Sequence, residues 1–332
     1  MINYDSLDGA QIEAVKHGEG PCVVAAPAGS GKTRCFVTRM ARLIFEGGIA
    51  PSEVLGVTFT KAAAGEMKSR LEGMLPIAWH ATLDVRTIHS LAWGIVNDGD
   101  ADLKKQMDAQ HFMLPSYGFR KIMESFISEF SRIYPMRNVK LSDFKSAFTL
   151  AKNYNVKPAG SAAFFSERNL NIQGATLEEA YRYYERNRLM YTEQSNNFRG
   201  RYDYDDLLVL ASDMLRANPH LARRWGAKFK YVLVDEVQDT SPVQFEIIEA
   251  LIKGSGHINL MLVGDLRQSI YGFRGAYPQY IQEFTDKHNA RVINLRFNYR
   301  SKPEIVGVAN KIARRMSDID ARFRDDMTAA RG

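Results

Sequence analysis

Ala26-Pro-Ala-Gly-Ser-Gly-Lys-Thr33 stands directly after an apolar run, Cys22-Val-Val-Ala-Ala26, and opens a stretch with helical spacing from Lys32 to Glu46, closed by Gly47-Gly48. Strand, glycine-rich turn and helix in that order make a phosphate cradle. Backbone N–H groups can turn inward toward phosphate oxygens only where unusual backbone angles are tolerated, which Gly29 and Gly31 supply. Ala26, where Gly is common, and the small Ala28 and Ser30 complete the loop. The helix beginning at Lys32 aims its positive end at the phosphates. Lys32 is expected to neutralise the β- and γ-phosphates, and the Thr33 hydroxyl to ligate Mg²⁺. The alternative is a chance glycine-rich turn; the flanking strand and helix weigh against it.

Further strands and helices extend outward from this loop. Val54 to Phe59 reads as a second strand, Ala62 to Leu75 as a helix, and Asp84 to Ile88 as a third strand. Tyr231-Val-Leu-Val-Asp235, Asn259-Leu-Met-Leu-Val263 and Arg291-Val-Ile-Asn-Leu295 are three more strands, each followed by a turn and a helical pattern. Unbroken apolar strands between helices predict an α/β fold, a parallel sheet with helices on both faces. From about Asn97 to Arg201 the pattern changes. Phe119 to Tyr134 is amphipathic, and Thr176 to Phe198 carries Leu177, Tyr181, Tyr184, Arg188 and Tyr191 at helical spacing behind a capping box of Thr176 and Glu179. This segment reads as a mainly helical insertion. The chain therefore divides into 1–96, 97–201, 202–305 and 306–332: sheet domain, helical subdomain, sheet domain again, and a linker toward a second motor domain.

Composition bounds the function classes. The 332 residues are 45% hydrophobic and 25% charged, the balance of a globular protein. Lys and Arg exceed Asp and Glu by 44 to 38, a net charge of +6 that permits nucleic-acid binding without demanding it. Cys22 and Cys35 have neither CxxC nor zinc spacing and read as small buried hydrophobes. No apolar run reaches the ~18 residues of a membrane span. Met1 to Asp8 is polar and mixed, unlike a signal peptide, so a cytoplasmic protein is expected.

A nucleotide site needs acid groups as well. The strand Tyr231 to Asp235 ends in Asp235-Glu236. Asp235 is expected to hold Mg²⁺, and Glu236 to act as general base on the attacking water. An acidic pair usually marks a solvated turn; at the end of a buried strand downstream of the phosphate loop it carries weight.

Asp235-Glu-Val-Gln-Asp-Thr-Ser-Pro-Val-Gln244 resembles motif II of the UvrD/Rep-type superfamily 1 helicases, and Val263-Gly-Asp-Leu-Arg-Gln-Ser-Ile-Tyr-Gly-Phe-Arg-Gly-Ala276 resembles their motif III. Leu7-Asp-Gly-Ala-Gln11 resembles the Q motif, Thr58-Phe-Thr60 motif Ia, Thr87-Ile-His-Ser90 the next DNA-contacting motif, and Tyr204-Asp-Asp-Leu207 the segment before motif II. Asn298-Tyr-Arg-Ser301 resembles motif IV. Lys61-Ala62 stands where the family usually has Asn-Lys. The resemblance implies a RecA-like sheet interrupted by a helical subdomain. It implies ATP and Mg²⁺ as cofactors, single-stranded or tailed duplex DNA as partner, and 3′ to 5′ polarity.

Roles follow motif by motif. Gln11 would read the adenine edge, and Arg34 would lie near the ribose or base. Gln268 would sense the γ-phosphate, and Arg300 would contact it as an arginine finger. Thr58, Phe59, Thr60 and His89 would contact DNA. Tyr271 and Phe273 would stack on bases, with Arg274 beside the nucleotide or strand; stacking suits a sequence-blind motor, since every base offers a π-face. The second motor lobe is expected beyond these residues, leaving the fragment weak or inactive in unwinding. Other classes remain open: the motor part of a helicase–nuclease recombination subunit, a P-loop kinase, or a nucleic-acid-binding P-loop protein with little turnover.

Overall fold

The structure, a computed structural model, describes residues 2–101, 104, 114, 116–134, 139–168, 170–190, 202–316, 319–323 and 325–330. The chain opens on α1 (Gly9–Lys16). Asp8 caps it by accepting from the Gln11 amide, while the Gln11 side chain accepts from the Asp8 amide. Next come β1 (Cys22–Ala25), α2 (Lys32–Phe45), β2 (Val54–Thr58), α3 (Lys61–Glu72), β3 (Asp84–Thr87) and α4 (Ile88–Gly99). Among the described residues the middle is helical: α5 (Ser116–Phe130), α6 (Leu141–Asn153), α7 (Ser161–Ser166) and α8 (Gly174–Met190). After these come α9 (Asp206–Ala217), α10 (Pro219–Gly226), β4 (Tyr231–Val234), α11 (Pro242–Ser255), β5 (Leu260–Gly264), α12 (Tyr280–His288) and β6 (Arg291–Asn294). The last elements are β7 (Phe297–Asn298), α13 (Pro303–Ala313) and β8 (Thr328–Ala329).

Six strands form one parallel sheet in the order β3-β2-β4-β5-β1-β6. Alternation along each strand divides the core in two. Val23, Ala25, Leu55, Val57, Val232, Val234, Leu260 and Leu262 face a layer built on α4 and α9 to α12. Cys22, Val24, Leu233, Met261, Val263 and Ile293 face α1 to α3. Both faces are dry, which is why these strands read as unbroken apolar runs. This is the architecture the resemblance implied, a RecA-like parallel sheet. Because every strand runs the same way, the loops that follow them gather at one edge, where open α/β sheets bind ligands.

The helical middle has a core of its own, rich in rings: Phe126, Phe144, Phe148, Phe165, Tyr181 and Tyr184. The Thr176–Glu179 capping box does not form. α8 starts at Gly174, so Thr176 lies inside its first turn, and its buried hydroxyl finds no partner among the described residues. Glu178, inside α8, caps the neighbouring α7 by accepting from the amides of Gly160 and Ala162. The part of this helical reading from Tyr191 to Phe198 lies outside the described residues. α4 runs through residue 97 and buries Ile95 and Val96 in the core of the sheet domain. Within 306–332, read as a linker, β8 pairs with β7 in parallel. Among the described residues no helix is long and apolar enough to cross a membrane.

Candidate functional site

The loop after β1 has the geometry its composition predicts. Gly29 and Gly31 have φ of 74° and 85°, the left-handed region that side chains resist. Space is short as well. A Cβ on Gly29 would lie 2.8 Å from Arg300 Cβ, and one on Gly31 would lie 2.7 Å from Gln11 Nε2. Two segments therefore close on the loop. Gln11 Nε2 donates to the Ser30 carbonyl at 2.8 Å. Asn298 Nδ2 donates to the Ala28 carbonyl at 2.8 Å, and the Tyr299 amide to the Gly29 carbonyl at 2.8 Å. Asn298 Oδ1 accepts from the amides of Arg300 and Ser301, so Arg300 is fixed beside the loop with its side chain exposed. Gln11, expected at adenine, is buried with its amide directed at the loop and at Asp8. Arg34 meets Ser6 on the exposed side, and Tyr299 donates to Asp8 nearby.

Lys32 Nζ lies 2.8 Å from Glu236 Oε2. Glu236 sits at φ 50°, a conformation costing a non-glycine residue about 1–3 kcal/mol and concentrated at functional sites. Gln238 links the site together: its Nε2 donates to Glu236 at 2.8 Å, and its Oε1 accepts from the Asp265 amide at 3.1 Å. Gln268 donates to Asp265 Oδ2 at 2.7 Å, which links it to Glu236 through Asp265 and Gln238. Asp235 is buried, and its Oδ1 has no hydrogen-bond partner among the described residues. Burial pushes the Asp235 carboxyl up to about 7, helped by the Glu236 charge and opposed by Lys32. Such an orphaned carboxylate needs a counter-charge. Thr33, on the first turn of α2, and Asp235 are the residues that fit a divalent cation.

This shift predicts a pH effect on stability. A carboxyl raised in the folded state leaves the protein more stable below the unfolded value near 4 and less stable as pH rises through about 7. Asp235→Asn removes that dependence. Its melting temperature relative to wild type should therefore be higher at pH 8 than at pH 5, measured without metal by calorimetry. An equal difference at both pH values would contradict the raised carboxyl.

A second site lies farther along the same edge. A groove of about 630 Å³ is lined by Phe59, His89, Tyr204, Tyr271, Phe273 and Arg274, with Lys61 and Lys145 on its rim. Phe59 stacks on Tyr271 with ring centroids 5.4 Å apart, and His89 on Tyr204 at 4.4 Å. Phe273 is 68% exposed. Arg274 lies over both Tyr271 and Phe273, at 5.4 and 5.6 Å. Burial pushes the His89 imidazole down to about 4, so it is neutral at physiological pH. Of the residues expected at DNA, the fold brings Phe59, His89, Tyr271, Phe273 and Arg274 together. Thr58 and Thr60 are not among them. Thr58 is buried beneath the groove beside Asp235, and Thr60 caps α3 by accepting from the Ala63 amide. Sequence reasoning missed Tyr204 and Lys145 as groove residues and Gln238 and Asn298 as links. Gln238 and Asn298 stand inside quoted motifs, whereas Lys145 carries no local signal.

Comparison with known proteins now bears on this geometry. The family model described as the UvrD/REP helicase N-terminal domain matches residues 7–289. The chain belongs to the UvrD/REP helicase family. ATP-dependent DNA helicase PcrA of Leuconostoc citreum is 33% identical over 316 residues, 93% of this chain and 39% of that protein. ATP-dependent DNA helicase Rep of Buchnera aphidicola subsp. Baizongia pistaciae is 32% identical over 91% of this chain and 42% of its own length. Putative ATP-dependent DNA helicase YjcD of Bacillus subtilis (strain 168) is 30% identical over 98% of this chain and 40% of its own length. The chain spans about two fifths of these UvrD/REP relatives.

Proposed function

We propose that these residues form the ATP-binding half of a DNA helicase motor, which hydrolyses ATP and uses the cycle to move 3′ to 5′ along single-stranded DNA. One observation carries the reading. The segment after β4 belongs to both sites: Glu236 meets Lys32 of the phosphate loop, Asp235 beside it feels the Lys32 charge, and Asp239, Ser241 and Gln244 line the aromatic groove. A change around the nucleotide therefore has a short covalent path to the groove.

In this reading Lys32 and backbone amides of the 28–33 loop hold the phosphates of ATP. Thr33 and Asp235 hold Mg²⁺, which supplies positive charge beside the phosphate oxygens. Glu236 accepts the proton of the attacking water. Gln268 responds to the γ-phosphate through Asp265, and Arg300 neutralises charge developing on it. Gln11 and Arg34 flank the base and ribose. The single strand stacks bases on Tyr271 and Phe273, with Phe59, His89 and Arg274 beside them. Lys61 and Lys145 lie where backbone phosphates would run. The proposed division is a sheet domain from 1–96 and 202–305, a helical insertion at 97–201, and a segment from 306 leading to a second motor lobe. Residues 1–332 taken alone are then expected to bind ATP and single strands, hydrolyse slowly and fail to displace a strand from a tailed duplex.

The groove is tested directly by Tyr271→Ala with Phe273→Ala. Base–aromatic stacking is worth ~1–3 kcal/mol per base, so the double variant should bind single-stranded oligonucleotides at least tenfold more weakly, with little dependence on base composition. Fluorescence anisotropy reads the affinity. Unchanged affinity would remove the two rings from strand binding, and a fall in melting temperature that accounts for the loss would make their role structural.

A further inference from the structure

One helix of the insertion, α6, reaches the groove, and it also grips the turn that carries Tyr204. Lys152, near the end of α6, has a side chain only 2% exposed. Its Nζ lies 2.5 Å from Asp203 Oδ2, 2.8 Å from Asp206 Oδ1 and 3.0 Å from Glu185 Oε1. One turn earlier, Thr149 Oγ1 donates to Asp205 Oδ2 at 2.8 Å. Asp203 Oδ1 accepts the amides of Asp205 and Asp206, and Asp206 Oδ2 accepts the amide of Asp203. All three acids of the 203–206 turn are thus bonded to α6. Tyr204 is the remaining member, 51% exposed, its ring stacked on His89 in the groove. The same helix packs against the loop carrying Tyr271 and Phe273. Gly275, at φ 91°, has so little room that a Cβ there would lie 3.0 Å from Asn153 Cβ.

A buried ammonium is costly unless paired, and three carboxylates around it leave little freedom on either side. Burial works against Asp203, yet Lys152 outweighs it and holds that carboxyl below the usual carboxylate range, while burial pushes the neighbouring Asp206 carboxyl up. A purely structural tie between insertion and sheet domain could join them anywhere. This one clamps the two residues flanking an exposed aromatic.

We propose that Lys152 and Thr149 are positioning residues: by locking the 203–206 turn onto α6 they hold Tyr204 against His89 as a preformed platform for a base of single-stranded DNA. The inference rests on the groove being the single-strand site. Preorganisation raises affinity by removing the ordering cost from the binding step. The insertion then contributes to strand binding by fixing this turn, in addition to the α6 residues, Thr149 among them, that line the groove.

The test is a double-mutant cycle in the whole protein. The affinity for a single-stranded thymidine oligonucleotide is measured at fixed salt in wild type, Thr149→Val, Tyr204→Ala and the double variant. Melting temperature and ATP-analogue affinity serve as folding controls. Tyr204→Ala is expected to weaken binding on the order of tenfold. Thr149→Val, which removes one hydroxyl, is expected to cost about threefold, and to add nothing once Tyr204 is Ala. Lys152→Met is expected to lose more and to lower the melting temperature, with Lys152→Arg recovering part of the affinity. An equal loss from Thr149→Val in both backgrounds, or none in either, overturns the positioning role. If only Tyr204→Ala is silent while the Tyr271/Phe273 variant binds weakly, the groove stands and this inference falls. If both are silent, the groove assignment falls and takes this inference with it.

Discussion

Replacing Glu236 by Gln is expected to lower ATP hydrolysis by about 10²–10⁴ while leaving nucleotide binding intact. The substitution keeps the shape of the side chain and removes only its charge and basicity. Glu236 follows the Mg²⁺ candidate Asp235, and its left-handed backbone turns it toward the phosphate loop, where Lys32 meets it at 2.8 Å. Two consequences separate this variant from a misfolded one. Lys32 loses a competing anion, so ATP affinity should hold or rise. Asp235 loses the neighbouring charge that helps to raise its carboxyl, so Mg²⁺ should bind at least as well at neutral pH. Single-turnover hydrolysis and calorimetric ATP binding read the two arms. Hydrolysis at the wild-type rate would show that another group takes the proton.

Arg300→Ala is expected to have an equal or larger effect, since an arginine finger is worth roughly 10³–10⁵ in rate. The structure explains how an exposed side chain can be so placed. Asn298 hooks the Ala28 carbonyl with its amide nitrogen and holds the Arg300 and Ser301 amides with its oxygen. The Arg300 stem is thus held beside Gly29. Lys at 300 would keep the charge but lose the planar fork, so Arg300→Lys should recover only part of the rate. ATP affinity should change little in either variant, because the charge that Arg300 neutralises develops during the reaction. A loss below tenfold would remove Arg300 from the chemistry.

The sheet and the phosphate loop were legible because both are written locally. Strands buried on two faces read as apolar runs, and the loop needs small residues at fixed offsets. A motif string does not say which way the Thr58 and Thr60 side chains point. Here one hydroxyl caps a helix and the other is buried under the groove. The Thr176–Glu179 box failed because the chain is already helical from Gly174, which puts Thr176 inside the first turn of α8 rather than before it. Lys152 is the clearest limit. By sequence it is an ordinary helix lysine. Only the packing of residues 185, 203 and 206 around it makes it the buried centre of a charge network.

The central claim is that nucleotide site and groove work as one device, joined by the segment from Asp235 to Gln244. Phosphate release from ATP, measured with and without a single-stranded oligonucleotide, tests it most directly. The account predicts a slow basal rate that rises when the strand is added. Lys32→Ala should abolish both the basal rate and the rise, and Tyr271→Ala with Phe273→Ala should suppress the rise while sparing the basal rate. A rate indifferent to the strand, in protein that binds both ATP and the oligonucleotide, would contradict it.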